Sequence, residues 1–272
     1  DLAGDWQDPF EAPQLVDHDG FKVVREDLMG FGSKCRFGDI LVSTCRQDTL
    51  VYVQPRYGFA GISLAYLAKK YNKKLVLFSP SQKEISDHQA ICVEMGAEMK
   101  FKRIAAMPVL NAHAKKWAES NNAFFIPLGL RHELVTAAAV KVAHDLAEKH
   151  GYPEEVWSAI STGVLQRSLQ IAWPDAKFNG VAVARNIKKG ERGIAEIWSH
   201  PKAFTQDVDP QYNPPFPSAM NYDAKAWEFM KKNGTPGAWF WNVGGDPKPK
   251  DINTKSLTKS ERAWGEILET DK

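Results

Sequence analysis

The sequence predicts an α/β fold built on parallel sheets. Short runs of β-branched and other apolar residues alternate with single segments whose apolar residues recur at helical spacing. Strands that alternate with single helices favour parallel pairing through right-handed crossovers, which gives three-layer αβα character. Apolar residues make up 43% and charged residues 25% of the 272-residue chain, as is ordinary for a globular protein with a full core.

The first half of the chain contains most of this alternation. Residues 1–20 are polar with two prolines and predict an extended arm over the surface. A helix is predicted from Lys34 to about Cys45, after the β-branched pair Val23-Val24. The predicted strands that follow are 49–53, 74–78, 98–101 and 123–126, and the predicted helices between them are 62–70, 82–96 and 107–121.

A break at residues 127–129, Pro-Leu-Gly, separates the second half of the chain. The predicted helices there are 133–150, a segment opened by residues 161–163 that runs toward Ala172, and 219–232, with a weak helix at 260–268. The predicted strands are 156–160, 178–184 and 238–242. Residues 185–217 are rich in Gly, Pro, Lys and Asp and predict a long irregular connection, of a kind that is often functional.

Composition excludes several classes of protein. The net charge is +2, so the total charge predicts no strong field for a polyanion or a membrane. No run approaches the ~18 apolar residues of a membrane span, and the start lacks a basic-then-apolar secretory signal. Cys35, Cys45 and Cys92 have no metal-type spacing, and their odd number indicates a reducing, cytoplasmic compartment.

One stretch of the sequence carries a chemical signature. Arg25-Glu26-Asp27 is followed by a turn with Gly30 and Gly32, and then by Lys34 at the start of the predicted helix. Glycines allow the backbone to approach a ligand closely. A helix N-terminus disfavours an ammonium ion and lowers a lysine pKa, and such a lysine can attack a carbonyl to form a Schiff base. The alternative is a surface lysine in a loop before a helix.

This stretch resembles the lysine motif of the tryptophan synthase β-like enzymes, which are the type II fold of pyridoxal 5'-phosphate (PLP) proteins. The 1-aminocyclopropane-1-carboxylate deaminase and D-cysteine desulfhydrase group is similar, with Arg-Glu-Asp, a glycine pair and Lys-x-Arg, here Lys34 and Arg36. The resemblance implies a type II fold over roughly residues 20–245, with Lys34 bonded to PLP. It also implies a larger PLP-binding domain of residues 1–48 and 129–272, an inserted α/β domain of residues 49–128, and a possible homodimer.

The resemblance also places the cofactor's phosphate. The family has a glycine-rich loop between a strand and a helix, where unpaired N–H groups face an anion. Ser161, Thr162 and Gly163 stand at that position, and Val164 replaces an outer glycine. The hydroxyls and the helix N-terminus predict a phosphate site, although an ordinary N-cap explains the same residues. Arg167 lies one turn further on and is a candidate for pairing with an anion of the substrate.

The partner of the ring oxygen is less well matched. The family has a hydrogen-bonding asparagine where this chain has Phe59, in a turn with Arg56, Tyr57 and Gly58. A phenyl ring cannot donate a hydrogen bond to the PLP hydroxyl. Tyr57 and Gly58 are therefore the candidate cofactor contacts, and Arg56 is a candidate substrate contact.

Two C-terminal segments complete the resemblance. Tyr222, followed by Asp223-Ala224-Lys225, resembles a Tyr-x-Gly-Lys segment, which implies a phenol over the cofactor that acts as an acid or base. Asn242 and Gly244 lie in a turn similar to the family's His-x-Gly-Gly turn, which implies contacts near the ring nitrogen. A second tyrosine of the deaminases is replaced by Phe240, so opening of a cyclopropane ring is not expected.

Three functions follow from these residues. The first is a PLP enzyme acting on an amino acid or an amino-bearing small molecule, by elimination with deamination, replacement or decarboxylation. The second is a PLP enzyme whose substrate is a nucleotide or an aminoacylated DNA base, which would be bound by arginines and stacked on the late tryptophans, Trp173, Trp198, Trp227, Trp239 and Trp241. The third is a degenerate member that keeps the fold as a binding module. The histidines predict no metal site.

Overall fold

The computed structural model describes residues 2–81, 85–102 and 106–248, and these residues divide into two compact units. The larger unit contains residues up to 40 together with 131–246, and the smaller one contains residues 41–130. The assignment of residues 1–48 with 129–272, and of 49–128, to separate functional domains stays a prediction. The predicted helix at 260–268 lies outside the described residues.

The larger unit is built on a six-stranded sheet with the order β1-β2-β10-β7-β8-β9. Its strands are β1 (Leu15–His18), β2 (Phe21–Arg25), β7 (Glu155–Ile160), β8 (Lys177–Ala182), β9 (Glu196–Ser199) and β10 (Trp239–Asn242). All neighbours pair in parallel except β1 and β2, which form an antiparallel pair. Its helices are α1 (Ser33–Thr44), which begins here, α5 (Glu133–His150), α6 (Val164–Ala172), α7 (Lys189–Arg192) and α8 (Asp223–Asn233).

Helices cover both faces of this sheet, because successive side chains of a strand point to opposite sides. On one face, Trp157 and Phe240 pack with Trp227 and Met230 of α8. On the other, Trp239 and Trp241, the neighbours of Phe240 in the chain, pack against Trp173 at the end of α6. The predicted three-layer α/β architecture is thereby confirmed for this unit.

The smaller unit contains a parallel sheet with the order β5-β4-β3-β6. Its strands are β3 (Thr49–Val53), β4 (Lys74–Pro80), β5 (Glu98–Lys102) and β6 (Phe124–Phe125). Its helices are α2 (Phe59–Lys70), α3 (Asp87–Glu94) and α4 (Met107–Ser120). Strand β3 lies at the centre of the unit, and α4 packs Leu110 and Ala114 against its Val51 and Val53.

Two segments expected to be irregular contain strands. Leu15–His18 of the predicted surface arm is strand β1, since Leu15 pairs with Val24 and His18 with Phe21. The expected irregular connection 185–217 contains α7 and β9, and β9 pairs with residues 179–182 of β8. An edge strand of four residues contains too few alternating apolar and polar residues to be recognised in the sequence. Its extended conformation is stabilised by pairing with the neighbouring strand.

Among the described residues, no helix has the length and apolar character needed to cross a membrane.

Candidate functional site

Three loops of the larger unit leave the sheet at the same edge. Strands β2, β10 and β7 are neighbours and run parallel, so their carboxyl ends lie side by side. The turn to Lys34 follows β2, Val243 and Gly244 follow β10, and Ser161 to Gly163 follow β7. The carboxyl edge of a parallel sheet is where α/β proteins commonly bind ligands.

The turn that leads to Lys34 is fixed by its glycines and by the end of β10. Gly30 and Gly32 have φ values of 79° and 78°, a left-handed backbone that favours glycine. The Ser33 N–H donates to the Val243 carbonyl at 2.9 Å, and the Trp241 indole donates to the Ser33 hydroxyl at 3.0 Å. The start of α1 is therefore anchored at the sheet edge.

Lys34 is the second residue of α1 and is partly buried. Its ammonium has no hydrogen bond or ion pair to any residue that the structure describes. Burial lowers the pKa of Lys34, and the negative charge of Asp223 opposes this effect. A partly buried amine with a lowered pKa and no bonded partner is suited to attack a carbonyl.

Asp223 is a site residue for which the sequence analysis predicted no role. It opens α8 and is fully buried, and its Oδ2 accepts a hydrogen bond from the Val243 N–H at 3.2 Å. Its Oδ1 has no hydrogen-bond partner among the described residues. Burial raises the pKa of Asp223 well above its usual range, and the charge of Lys34 opposes that rise. In the sequence, Asp223 is only an acidic residue near the start of a predicted helix, a common position for carboxylates that does not by itself indicate a site.

Tyr222 lies beside this carboxylate, as the residue before α8. Its ring packs edge-on against Phe204, with 6.3 Å between ring centroids. Burial raises the pKa of the Tyr222 phenol, and the Asp223 charge adds to the increase. The phenol therefore stays protonated at neutral pH and can donate a hydrogen bond or a proton.

The loop from β7 to α6 has the properties of an anion cradle. No hydrogen bond to the described residues is made by the N–H groups of Thr162, Gly163 and Val164, or by the Ser161 and Thr162 hydroxyls. Gly163 has a φ of 75°, and a Cβ there would lie 2.0 Å from the Glu191 carbonyl oxygen. Unpaired N–H groups at a helix N-terminus attract anions, so the loop fits a phosphate group.

A buried carboxylate holds arginines next to this cradle. Glu191 accepts hydrogen bonds from Arg185 at 2.6 and 2.9 Å and from Arg131 at 3.1 Å. These contacts lower the pKa of Glu191 to about 2, and the bond from Arg185 is the largest cause. Arg131 also donates to the Thr162 carbonyl, and Arg167 donates to the Gly163 carbonyl, both at 3.4 Å. Arg167, a predicted substrate contact, thus lies against the cradle.

The predicted ring-nitrogen contacts lie at the end of β10. Asn242 is fully buried, and its amide donates to Asp27 at 2.8 Å and to the Pro217 carbonyl at 2.9 Å. Its oxygen accepts from Ser218 at 3.0 Å. Both amide hydrogens are therefore used within the protein, and Asn242 supports the loop around the buried Gly244 rather than presenting a donor.

The remaining predicted contacts lie in the smaller unit, in the turn from β3 to α2. The exposed Arg56 stacks over the Tyr57 ring at 5.7 Å, and Gly58 is the residue before α2. Phe59 is buried, with its ring 5.4 Å from that of His88. Burial lowers the pKa of His88 to about 4. The phenyl group of Phe59 thus packs against a neutral imidazole and makes no polar contact.

The late tryptophans Trp173, Trp227, Trp239 and Trp241 belong to the core, so their proposed use as a base-stacking surface is wrong. Trp173, Trp227, Trp239 and Trp241 are at most 3% exposed, and Trp198 is partly buried against Trp157. Their spacing does not distinguish stacking from packing, because burial is set by the helices above and below the sheet. Among the described residues, no group of three or more His, Cys, Asp or Glu residues could hold a metal ion.

Comparison with known proteins identifies the architecture. No protein-family model matches the sequence, and neither does any curated protein. A solved structure of an ACC deaminase homologue superimposes with a TM-score of 0.72 and 17% identity over 88% of both chains.

Two further solved structures superimpose on this chain. Threonine deaminase isoform 2 from Solanum lycopersicum has a TM-score of 0.64 and 11% identity over 95% of this chain and 88% of its own. A pyridoxal 5'-phosphate-dependent aspartate racemase has a TM-score of 0.61 and 12% identity over 86% of both chains. The chain therefore has the tryptophan synthase β-like fold, the type II fold of PLP enzymes.

Proposed function

We propose that this protein is a PLP-dependent enzyme that acts on an amino acid or another small amino-bearing substrate. One observation carries the proposal. Lys34, a partly buried amine, and the anion cradle of Ser161–Gly163 follow strands β2 and β7 at one edge of one sheet, and neither the amine nor the cradle's N–H groups and hydroxyls find a partner among the described residues. An amine and a phosphate site together are the two attachment points that PLP requires. The threonine deaminase, the ACC deaminase homologue and the aspartate racemase that share the fold support this choice.

The environment of each site residue suggests a role for it in binding PLP or the substrate. PLP, when bound, supplies an electron sink for the bonds at the substrate Cα. Lys34 would hold the cofactor through its amine, and the Ser161 and Thr162 hydroxyls with the Gly163 N–H would hold the phosphate. Tyr222 is protonated at neutral pH and would donate a proton or a hydrogen bond. Arg167, beside the cradle, would pair with a substrate anion.

The first experiment is a titration of the protein with PLP, followed by its absorbance spectrum. The proposal predicts a visible band from bound cofactor that Lys34→Ala abolishes. Lys177→Ala is the matched control, because Lys177 is an exposed lysine at the start of β8. If neither the parent nor the control binds PLP, the chain is a binding module that keeps only the fold.

The cradle is tested separately from the lysine. The variants Ser161→Ala and Thr162→Val each remove a hydroxyl with no partner among the described residues, so folding should be unaffected. Each is expected to weaken PLP binding about tenfold, the value of a hydrogen bond to a charged group. Ser120→Ala is the control, since its hydroxyl donates to the Lys116 carbonyl at the surface. Equal affinity in all of these variants would place the phosphate elsewhere.

The reaction type is decided by the products. Elimination with deamination releases ammonia and a 2-oxo acid, decarboxylation releases carbon dioxide, and replacement yields a new amino acid. We expect deamination, because a threonine deaminase and a homologue of ACC deaminase are among the superimposed structures. Amino acids that shift the absorbance band can be screened first, and the products of those can then be analysed by mass spectrometry.

A polyanionic substrate is a second candidate, favoured by a cluster of basic residues next to the cradle. The cluster comprises the exposed side chains of Arg131, Arg185, Lys188, Lys189 and Arg192, and Glu191 is the carboxylate that binds two of them. Affinity for DNA or nucleotides that falls steeply with salt would support this candidate. No binding at low salt would leave the small amino-bearing substrate as the only enzyme hypothesis.

A further inference from the structure

We infer that Arg131 is a positioning residue of the phosphate cradle: it binds the Thr162 carbonyl and thereby turns the Gly163 N–H toward the anion. The inference deepens the proposed function and rests on it for the identity of the compound that carries the phosphate. The contacts that support it are all made within the larger unit.

The orientation of one peptide unit decides what the cradle offers to an anion. A trans peptide places its carbonyl and its N–H on opposite sides, and the described residues contain no cis peptide bond. The Thr162 carbonyl accepts a hydrogen bond from Arg131 at 3.4 Å, so the Gly163 N–H of the same peptide points away from Arg131. That N–H has no partner among the described residues. The protein therefore uses the carbonyl side of this peptide and leaves the N–H side for a ligand.

This peptide needs a side-chain contact because glycine does not fix its orientation. Glycine adopts left-handed and right-handed conformations about equally well, and Gly163 has a φ of 75° and a ψ of 3°. Rotation of the peptide before Gly163 would replace its N–H by the Thr162 carbonyl oxygen, which repels an anion. No backbone N–H of the described residues donates to that carbonyl. Arg131 is therefore the group that opposes this rotation.

The next peptide of the loop is already fixed by the helix. The Gly163 carbonyl accepts from the Arg167 N–H at 3.0 Å, a backbone bond of the first turn of α6. The Val164 N–H, which belongs to the same peptide, is thereby oriented without a side chain. The bond from the Arg167 side chain to the Gly163 carbonyl, at 3.4 Å, adds to an orientation that already exists. The positioning role thus falls to Arg131, and Arg167 remains a candidate contact of the substrate.

Glu191 holds the Arg131 side chain at the loop. The Arg131 Nη2 group that donates to the Thr162 carbonyl also donates to Glu191 Oε1 at 3.1 Å. Hydrogen bonds, chiefly from Arg185, lower the pKa of Glu191 to about 2, so its carboxylate is ionised at neutral pH and binds both guanidinium groups strongly. The Glu191 side chain is 10% exposed, whereas that of Arg131 is 51% exposed. The less exposed carboxylate therefore anchors Arg131 against the cradle.

The test observes this peptide directly. The pair Thr162-Gly163 is the only threonine followed by glycine in the sequence. Cell-free synthesis with threonine labelled at its carbonyl carbon and glycine labelled at its nitrogen therefore gives a single amide signal in a carbonyl-selected NMR spectrum. The cofactor-free protein is titrated with inorganic phosphate. We expect the Gly163 amide proton to shift downfield as phosphate binds, because its N–H then donates to an anion.

The variant Arg131→Gln removes the guanidinium that binds the Thr162 carbonyl. It should raise the phosphate concentration at the midpoint of the titration about tenfold, the value of a hydrogen bond to a charged group. Arg46→Gln is the matched control, since it removes the same charge from an exposed arginine of the smaller unit and should leave the midpoint in place. No phosphate-dependent shift in the parent, or an equal midpoint in Arg131→Gln, would overturn the inference.

A second variant, Glu191→Ala, separates orientation from charge and replaces the first if Arg131→Gln does not fold. Removal of a negative charge beside the cradle would by itself tighten phosphate binding. Removal of the group that anchors Arg131 should instead weaken it, and tighter binding in Glu191→Ala would overturn the inference. The expected midpoints in a protein that shows no absorbance band with PLP would refute the proposed function alone.

Discussion

Two turns from strand to helix differ in how their backbone groups are used. The turn from β7 to α6, Ser161 to Gly163, leaves N–H groups and hydroxyls without partners among the described residues. The turn from β3 to α2 is closed by Gln54, whose amide donates to the Gly58 carbonyl at 3.0 Å and accepts from the Gly61 N–H at 2.9 Å. The same supersecondary unit therefore gives an open loop or a closed one, depending on whether a side chain satisfies its backbone.

Each turn is also supported by a different neighbour. In the first, the Glu191 carbonyl lies so close to Gly163 that no side chain fits there. In the second, the Gln54 carbonyl accepts from the Ser79 hydroxyl, which in turn accepts from Gln89 at 2.9 Å. The first turn is shaped by backbone contact and the second by a buried polar network, and the following variants test these two kinds of support.

The largest effect is expected from Gly163→Ala. The new Cβ meets the Glu191 backbone and also requires a left-handed conformation. We expect the free energy of unfolding to fall by about 3 kcal/mol or more, with loss of PLP binding. Urea unfolding and a PLP titration measure these effects.

Gly151→Ala is the control for this substitution. Gly151 has a φ of 86° and a ψ of 157°, a conformation that is almost restricted to glycine, and nothing lies within 4 Å of an added Cβ, so Ala there carries a conformational cost of about 1–3 kcal/mol without a collision. Equal losses in both variants would show that the contact between Glu191 and Gly163 has no role in shaping the turn.

An intermediate effect is expected from Gln54→Ala in the closed turn. The change leaves the Gly58 carbonyl and the Gly61 N–H without their partner, which should cost about 2 kcal/mol in the free energy of unfolding. Gln206→Ala should cost only about 0.5 kcal/mol, because Gln206 makes a similar bond to the Ala203 N–H at an exposed position. Similar losses for the two variants would contradict the assignment of Gln54 as the residue that closes the turn.

The smallest effect is expected from Glu191→Gln, and it depends on pH. The folded protein lowers the pKa of Glu191 from 4.5 to about 2, so its carboxylate stabilises the fold above pH 4.5 and loses that contribution as the pH falls through about 2. The parent should exceed the variant by about 1 kcal/mol at neutral pH, since the arginine partners are partly exposed.

The measurement for this variant is urea unfolding at several pH values. The gap between the parent and Glu191→Gln should close between pH 4.5 and 2. A gap that stays constant over this range would show that the arginine contacts do not act through the ionised carboxylate.

Local pattern predicted the central elements of both sheets. Helix α5 was expected at its observed bounds, since its apolar residues recur at helical spacing and Gly151 ends it. Strands β1 and β9 and the helix α7 escaped prediction, because four-residue elements carry little periodic signal. They form through contacts with other segments: β1 pairs with β2, β9 pairs with β8, and Glu191 of α7 binds Arg131 and Arg185. The tryptophans show the same limit, since only the packing of helices on the sheet decides that they are core.

Some residues of the candidate site could also be recognised in the sequence, whereas others were revealed only by the structure. Lys34, the glycines before it, Tyr222 and the cradle of Ser161 to Gly163 stand at recognisable positions in the sequence, because turns and helix starts require particular residue types. Asp223, the bonded amide of Asn242 and the link from Glu191 to two arginines depend on residues far apart in the chain. The sequence alone determined which chemical groups the protein has and the order of its longer strands and helices. Only the tertiary structure decided which polar groups find partners, and the Lys34 ammonium and the N–H groups of the cradle find none among the described residues. The reason is that hydrogen bonding between distant residues is set by how the sheet edge assembles.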